Sequence, residues 1–474
     1  MNRLALILAV AALAAPAAGC GEKSSSGAAG AAVAPAASMF FVSVDTSFDS
    51  SNWEAGQALL AKFPDGDRAG GWLMQQLGGK GVDFEQDVKP ALGPETDLVG
   101  FELSGHAVFV GLTQPKDKAK LDALLAKADP PLVSREVDGW TAFSDTEAIL
   151  DEFERLQKAG TLDGVDAYTK VSGEVAADAL VHVYVAPSAL GSTPLAGALG
   201  SDAPSLALSL APQDGAVRVE GAASPASGDF FSDEFHADLP SEVPGGVFLY
   251  AGANDLERQL GALRDMLAEA APGLERDLGR AEAQLGVSLD EDVFPLFTEE
   301  SALYVRPGFP IPEVTIVTHV DDEQGALAIL DKLSSELAEY YSGARVTSVD
   351  VGGVHAKELF VNQLFSIYYA AFDGHLVVTT SRQGITDLQG TEDRLADDEA
   401  FKDATEAAGM PADTTGFLYV DLAKAVPAVL GLAGAGGKNI PNWVQANLEP
   451  LDSLILYGEG DGDVAKFVGE LSIQ

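Results

Sequence analysis

Apolar residues return at helical spacing in several stretches of the chain. Leu256, Leu260, Leu263 and Leu267 recur at steps of three and four, as do Leu121, Leu124, Leu125 and Ala128, and again Leu330, Leu333, Leu337 and Tyr340. Such stripes predict amphipathic helices that each turn one face to a core. Asn254 is placed to cap the first of them, and Pro272 separates it from a further stripe of Leu274, Leu278, Ala281 and Leu285. Two more helices are expected around Trp53 to Phe63 and Gly70 to Leu77. Between these lie short apolar runs such as Phe40 to Asp45, and dipeptides that favour type I′ turns: Asp138-Gly139, Asp214-Gly215, Gly352-Gly353 and Asp373-Gly374. Hairpins built on such turns pair their strands antiparallel. Several strands follow one another with no room for an intervening helix, so the expected class is α+β, a mostly antiparallel sheet with helices packed on one face.

The pattern occurs twice. Phe40 matches Phe248 and Pro64 matches Pro272, both at an offset of 208. GVDFEQDVKPALG from Gly81 matches GVSLDEDVFPLFT from Gly286 at 205, and the next strand and helix stay near 206. The offset then becomes 235, with Asp138-Gly139 on Asp373-Gly374 and Tyr184 on Tyr419, and finally 248, with SLALSLAPQDGAVRVEG on SLILYGEGDGDVAKFVG. A series of matches in one order is the mark of a duplication. It predicts two homologous domains, residues 39–225 and 246–474, joined by a linker at 226–245. The jump in offset places an insert near 346–372, read as an added hairpin plus a strand that is apolar on both faces. That strand is expected to be central and covered on both sides. Its Phe365, Tyr368, Tyr369 and Phe372 would alternatively form an aromatic wall for a hydrophobic ligand.

The first residues bear on location. Arg3 precedes an apolar stretch from Leu4 to about Ala15, too short to span a bilayer, so residues 1–19 read as a signal peptide. The stretch ends in Ala17-Ala18-Gly19-Cys20, which resembles the bacterial lipobox, whose Cys becomes the acylated first residue of the mature chain. Cys20 is the only cysteine of the protein, so it has no disulfide partner to find. Residues 20–38, rich in Ser, Gly and Ala, are expected to form a flexible tether of about 23 Å average span. These features put the body on the outer face of the cytoplasmic membrane, held by lipid.

Charge narrows the partners. With 72 acidic and 29 basic residues the formal net charge is -43. Such a field repels nucleic acid and disfavours adsorption on anionic lipid. It also removes the meaning of carboxylate pairs: at this density Glu85 with Asp87, or Asp290 with Asp292, arise by chance. Asp461-Gly462-Asp463 lacks the further ligands of a calcium loop. The six histidines, His106, His182, His236, His319, His355 and His375, show no metal-ligand spacing. His319, His355 and His375 share one half and could converge, but no metal or cofactor is assigned. No G-x-S-x-G elbow is present, and GLAGAGGKN near Lys438 lacks the first Gly and the final Ser or Thr of a phosphate loop.

The lipobox, GVDFEQDVKPALG, LADDEAFKDATEAAGMPADTTGFLYVD and FDGHLVVTTS together resemble a family of secreted, internally duplicated lipoproteins from high-GC Gram-positive bacteria, catalogued as a domain of unknown function. The resemblance implies envelope location and a duplicated architecture, and it brings no catalytic residues. The expectation is therefore a lipid-anchored, non-enzymatic binding or scaffolding module with an envelope protein or an amphiphile as partner. A lipid carrier, and less so an envelope hydrolase, are the alternatives. An inhibitor of the lipoprotein signal peptidase is expected to leave an unprocessed precursor, read as a slower band on a gel; normal maturation under the inhibitor contradicts acylation at Cys20.

Overall fold

The computed structural model describes residues 28–66, 82–190, 203–226, 233–308, 311–341, 343–362, 365–390 and 393–474, apart from the side chains of 265–270 and a few single helix and strand positions. The expected signal peptide, Cys20, the first part of the tether and the helix at Gly70 to Leu77 lie outside the described residues. Along the first half run β1 (Phe40–Asp45), α1 (Ser51–Ala61), β2 (Glu95–Leu103), β3 (His106–Thr113), α2 (Lys118–Ala126), β4 (Val133–Val137) and β5 (Trp140–Ser144). It continues with α3 (Glu147–Gln157), α4 (Asp166–Ser172), β6 (Val181–Val185), α5 (Pro187–Leu190), β7 (Ser205–Gln213) and β8 (Ala216–Ser224). The second half opens with β9 (Phe235–His236), β10 (Leu249–Ala253), α6 (Leu256–Ala270), α7 (Pro272–Leu285), β11 (Ser301–Arg306), β12 (Glu313–His319) and α8 (Glu323–Tyr340). Then come β13 (Arg345–Val351), β14 (Val354–Asn362), β15 (Phe365–Phe372), β16 (His375–Thr379), α9 (Arg382–Gly390), α10 (Glu399–Ala408), β17 (Asp413–Thr414) and β18 (Gly416–Asp421). The chain closes with α11 (Leu422–Ala435), α12 (Asn442–Leu448), β19 (Leu451–Asp461) and β20 (Val464–Ile473).

The class is α+β, and all 18 strands of the main sheet pair antiparallel. Following the pairings gives the order β4-β5-β3-β2-β1-β6-β7-β8-β20-β19-β18-β10-β11-β12-β16-β15-β14-β13. The two halves are thus one continuous sheet, joined where β8 lies against β20. At three of the expected turns, Asp138-Gly139, Gly352-Gly353 and Asp373-Gly374, both residues have positive φ as a type I′ turn requires; at Asp214-Gly215 only the glycine does. Ser104-Gly105 makes a further turn with both φ positive.

The pairing registers repeat between halves. Phe41 faces Val99 and Tyr184, while Tyr250 faces Tyr304 and Tyr419. Phe41 therefore corresponds to Tyr250 and not to Leu249, so the offset there is 209, one more than the sequence match suggests. A slip of one residue exchanges the faces of a strand. Ala207 corresponds to Ile455 by the same logic, at 248. β15 and β16 occupy the places of β4 and β5, since Ser134 faces Phe143 as Tyr369 faces Val378. The added part is accordingly the longer α8 and the hairpin β13–β14, and β15 is not part of the insert.

Helices cover both faces of the sheet, not one. Alternate residues of β2 enter different cores: Val99 and Phe101 join α3 and α4 through Ile149, Leu150, Phe153, Tyr168 and Val171, whereas Leu98 joins Trp53 of α1 and Leu121 and Leu125 of α2. In the second half Tyr250, Tyr304, Phe417 and Tyr419 pack on α9 and α10, and Leu376 packs with Ala326, Ile329 and Leu330 of α8 on the opposite side. We call these face A and face B, in that order, for both halves.

The expected tether and linker are also revised. Ala31, Val33 and Ala34 are buried in the first face A core, and Leu239 and Val243 in the second. Each segment carries a 3-10 turn, Ala29–Ala32 and Leu239–Ser241, whose amides donate to a glutamate at the same place in the fold. Gly30 and Ala29 donate to Glu95, and Leu239 and Asp238 donate to Glu300. Pro35 bridges Thr161 as Pro244 bridges Arg394. The repeat unit therefore begins about ten residues before its first long strand, because small and β-branched side chains there fit beneath the sheet.

One buried group breaks the symmetry at a cost. Asp97, fully buried against Gly30, offers two carboxylate oxygens with no partner of good hydrogen-bond geometry among the described residues; its counterpart is Ala302. Burial pushes its carboxyl well above the usual carboxylate range, Glu95 adds to the effect, and the Ser43 hydroxyl offsets part of it. A folded-state value above the unfolded one, about 3.9, means the native state holds the proton longer, so this contribution to stability is lost as pH rises above that value. Asp97→Ala is expected to raise stability by about 1–3 kcal/mol at about pH 8 and by less near about pH 4. Denaturant unfolding at the two pH values checks it, and an unchanged or lowered stability at the higher pH contradicts it.

Candidate functional site

The aromatic residues of β15 sit in packed structure. Tyr369 is buried, and its hydroxyl bonds Ser334 and Asp331 of α8 at 2.5 and 2.8 Å. Tyr368 and Phe372 point to the other side, against the face A core, where Tyr368 donates to Glu358 and the Arg382 guanidinium stands 5.4 Å from its ring. Phe365 is half-buried at the strand's start, opposite Asn362. β15 thus lies between α8 and α9, flanked by β14 and β16, and its aromatic residues line no groove described below.

The feature that stands out lies on face B, at the middle of the sheet. Reading across strands gives one row, Leu303, Ala251, Leu418, Leu456, Gly469, Val219 and Leu210, without a polar side chain. The six steps between these seven strands span about 29 Å at about 4.8 Å each. The adjacent row runs Gly416, Gly458, Phe467, Gly221, Leu208 and Val183. Here the glycines have a specific purpose. A Cβ on Gly221 would lie 2.0 Å from the Phe467 ring, and one on Gly469 would lie 2.6 Å from Leu456 Cδ2. Phe467 and Leu456 therefore lie flat on the sheet and leave an even apolar floor.

At the second-half end this floor is open. Leu303, Leu456 and Phe467 are 36%, 38% and 44% exposed, while Leu98, the counterpart of Leu303, is 8% exposed beneath α1 and α2. A groove of about 770 Å³ lies over Leu418, Leu456 and Phe467, with Gln259 of α6 beside it. The charged residues of its lining are Asp233, Glu234, Glu459 and Lys466, and Lys466 is paired with Glu174. A volume of this size suits a small amphiphile.

Three helices of the second half are loosely seated, and α6 among them borders the groove through Gln259. Among the described residues, α6, α11 and α12 contain no fully buried side chain, although α11 is mostly apolar. On face A, by contrast, α9 buries Ile385 and Leu388, and α10 buries Phe401, Ala404 and Ala408. The seat of α12 is polar: Asn447 exchanges hydrogen bonds with Asp65, at 3.2 and 3.0 Å, just beyond α1 of the other half. The stripe on α8 also runs out to solvent, leaving Tyr340 and Tyr341 exposed.

A second, smaller cavity of about 370 Å³ is polar, lined by Arg306, Asp387, Arg394, Asp397 and Asp398 among others. Arg306 pairs with Asp387 at 2.6 Å, so its charges are largely matched internally.

The internal repeat, with Tyr184 on Tyr419 and SLALSLAPQDGAVRVEG on SLILYGEGDGDVAKFVG, marks the strands of the groove but not their open face. Phe417 to Val420 in β18 and Leu454 to Tyr457 in β19 are apolar on both faces, a pattern that reads as burial on both sides. A family model described as protein of unknown function (DUF3352) matches residues 113–456. The comparison with curated proteins finds no match. Tyr369→Phe is expected to cost about 1 kcal/mol through loss of its two side-chain bonds, measured by thermal or denaturant unfolding, and to leave binding in the groove unchanged; a binding defect without a stability loss would reinstate the aromatic wall as a ligand site.

Proposed function

The chain belongs to the DUF3352 family of proteins of unknown function, and from the open apolar floor of its sheet we propose a non-enzymatic binding protein whose ligand is an amphiphile. The observation that carries this reading is the unbroken apolar row on face B, left uncovered at one end by a scaffold that covers the same position in its twin half. A large exposed apolar surface in a groove is a binding feature, because water contact there is unfavourable until a ligand displaces it. The loose seating of α6, which borders the groove, and of α11, which packs on β18 and β19, supports entry of a chain-like molecule by small shifts of helices. With Asp233, Glu234 and Glu459 against one lysine, Lys466, which Glu174 already pairs, the lining favours an uncharged or cationic head over an anionic one.

The location proposed with it is the outer face of the cytoplasmic membrane, anchored through acylated Cys20 after removal of a signal peptide, in keeping with secreted lipoproteins of high-GC Gram-positive bacteria. No helix among the described residues is long and apolar enough to cross a membrane. Binding or scaffolding of an envelope protein by the same apolar surface is the neighbouring reading, and the test separates the two.

Native mass spectrometry of the protein purified from its membrane fraction, followed by organic extraction, is expected to release an amphiphile. Leu456→Asp and Phe467→Asp, both at exposed positions, are expected to reduce that yield at least tenfold and to lower the affinity for a fluorescent fatty-acid probe equally, with little change in melting temperature. Unaltered probe binding in both variants overturns the assignment. Recovery of cross-linked protein without any amphiphile favours the scaffold.

A further inference from the structure

On face A of the second half, two of the six histidines meet a glutamate. His319 ends β12 and His375 begins β16, and the two are direct cross-strand partners with ring centroids 4.9 Å apart. Glu242 follows the buried 3-10 turn at Leu239–Ser241, and its Oε2 stands 2.6 Å from His375 Nε2 and 3.3 Å from His319 Nε2. One ligand atom from each of the three residues falls within 4.8 Å of the others. His355 does not join them: it is exposed on β14, opposite Asp350.

We propose that Glu242, His319 and His375 bind a divalent transition-metal ion, with zinc the best match. Two imidazoles and one carboxylate are a donor set suited to zinc, and bonds of about 2.0–2.1 Å place tetrahedral ligand atoms about 3.3 Å apart. The Glu242 to His319 spacing already has this value, and the Glu242 to His375 spacing reaches it by a side-chain movement of less than about 1 Å. Three protein ligands leave one coordination position open. The partial exposure of His319, His375 and Glu242, at 30%, 15% and 40%, puts that position within reach of solvent.

The backbone is prepared for this arrangement. Both histidines stand on paired strands of a covered sheet, so their separation is fixed before any ion arrives. Glu300, 7% exposed and held by the amides of Asp238 and Leu239, has a carboxylate oxygen 4.0 Å from the other ring nitrogen of His319. At that distance the contact is electrostatic and not a hydrogen bond, and it sets a second negative charge beside the site. Arg394 donates to the backbone carbonyls of Glu242 and Leu388.

The first half fills the same place in the fold differently. The counterparts of Glu242, His319 and His375 are Val33, Gln114 and Trp140, and Val33 and Trp140 are buried in the first core. Glu95 meanwhile retains the role of Glu300. The scaffold closes this spot with apolar packing in one copy, so the folded framework does not need the histidines and the glutamate. Their presence in the other copy is a separate acquisition.

Equilibrium dialysis of the purified full chain against zinc chloride, with elemental analysis, is expected to give one zinc per chain that survives dialysis against buffer. Cobalt is expected to give the visible absorption of a tetrahedral site. His319→Gln, which copies Gln114 of the first half, and His375→Gln are each expected to weaken zinc at least tenfold, and His355→Gln to leave it unchanged. Zinc is also expected to raise the melting temperature of the parent chain and of His355→Gln, but not of the other two. Absence of stoichiometric zinc in a folded parent chain, or retention of full affinity in both His319→Gln and His375→Gln, overturns the site.

Discussion

The pairing of β8 with β20 is the interaction on which the rest of the molecule depends. Residue for residue, Glu220 faces Val468, and at the offset of 248 these two are also each other's counterparts. The seam therefore lies on a pseudo-twofold axis, with equivalent strands of the two halves hydrogen-bonded antiparallel. An exposed strand edge is a row of unsatisfied donors and acceptors that templates aggregation. Here each half satisfies the other's edge, and the sheet that results is long enough to carry an uninterrupted apolar strip through its centre. The only edges left among the described strands of the main sheet are β4 and β13, and each carries charge: Arg135 and Glu136 on one, Arg345 and Asp350 on the other. Arg135 is further occupied by Glu147, Asp151 and Glu154.

Duplication makes the molecule its own control. Where both halves keep a feature, such as Glu95 and Glu300 receiving the amides of a 3-10 turn, the fold demands it. Where they differ, the fold is indifferent and another pressure is at work. Three differences are prominent. Asp97 replaces an apolar position with an unsatisfied carboxyl, Leu303 is uncovered where Leu98 is not, and a histidine pair with a glutamate stands where Val33 and Trp140 pack. The first half is the more fully closed of the two on face B, and the second holds the open surface.

Much of this architecture was legible in the chain. The α+β class follows from hairpin dipeptides, and three of the four adopt the positive φ values of a type I′ turn. The duplicated order of strands followed from matched segments. What escaped has physical causes. Phe40 to Val44 and Leu249 to Ala253 are apolar or small on both faces, so they carry no period-two signal and the sequence match stands one residue out of register. Ala31, Val33 and Ala34 read as linker because small residues in an Ala-rich stretch resemble a tether until a sheet covers them. Helices on both faces were hidden by the same two-sided apolarity. His319 and His375 are 56 positions apart in sequence, and only the β12–β16 pairing brings them together; the groove likewise depends on which apolar face the helices leave bare.

The place of β20 in the chain gives the seam a temporal meaning. β8 is complete by residue 224, yet the strand that covers its edge is residues 464–473, the last of the sheet in chain order. As the polypeptide is synthesised from its N-terminal end, the first half must wait with an open edge while some 240 further residues appear. Contacts of such long sequence separation form late and slowly. The first half is thus exposed to off-pathway pairing for the whole of that interval, and closure of the seam, not formation of either half, is the step at which the chain becomes safe from its own strands.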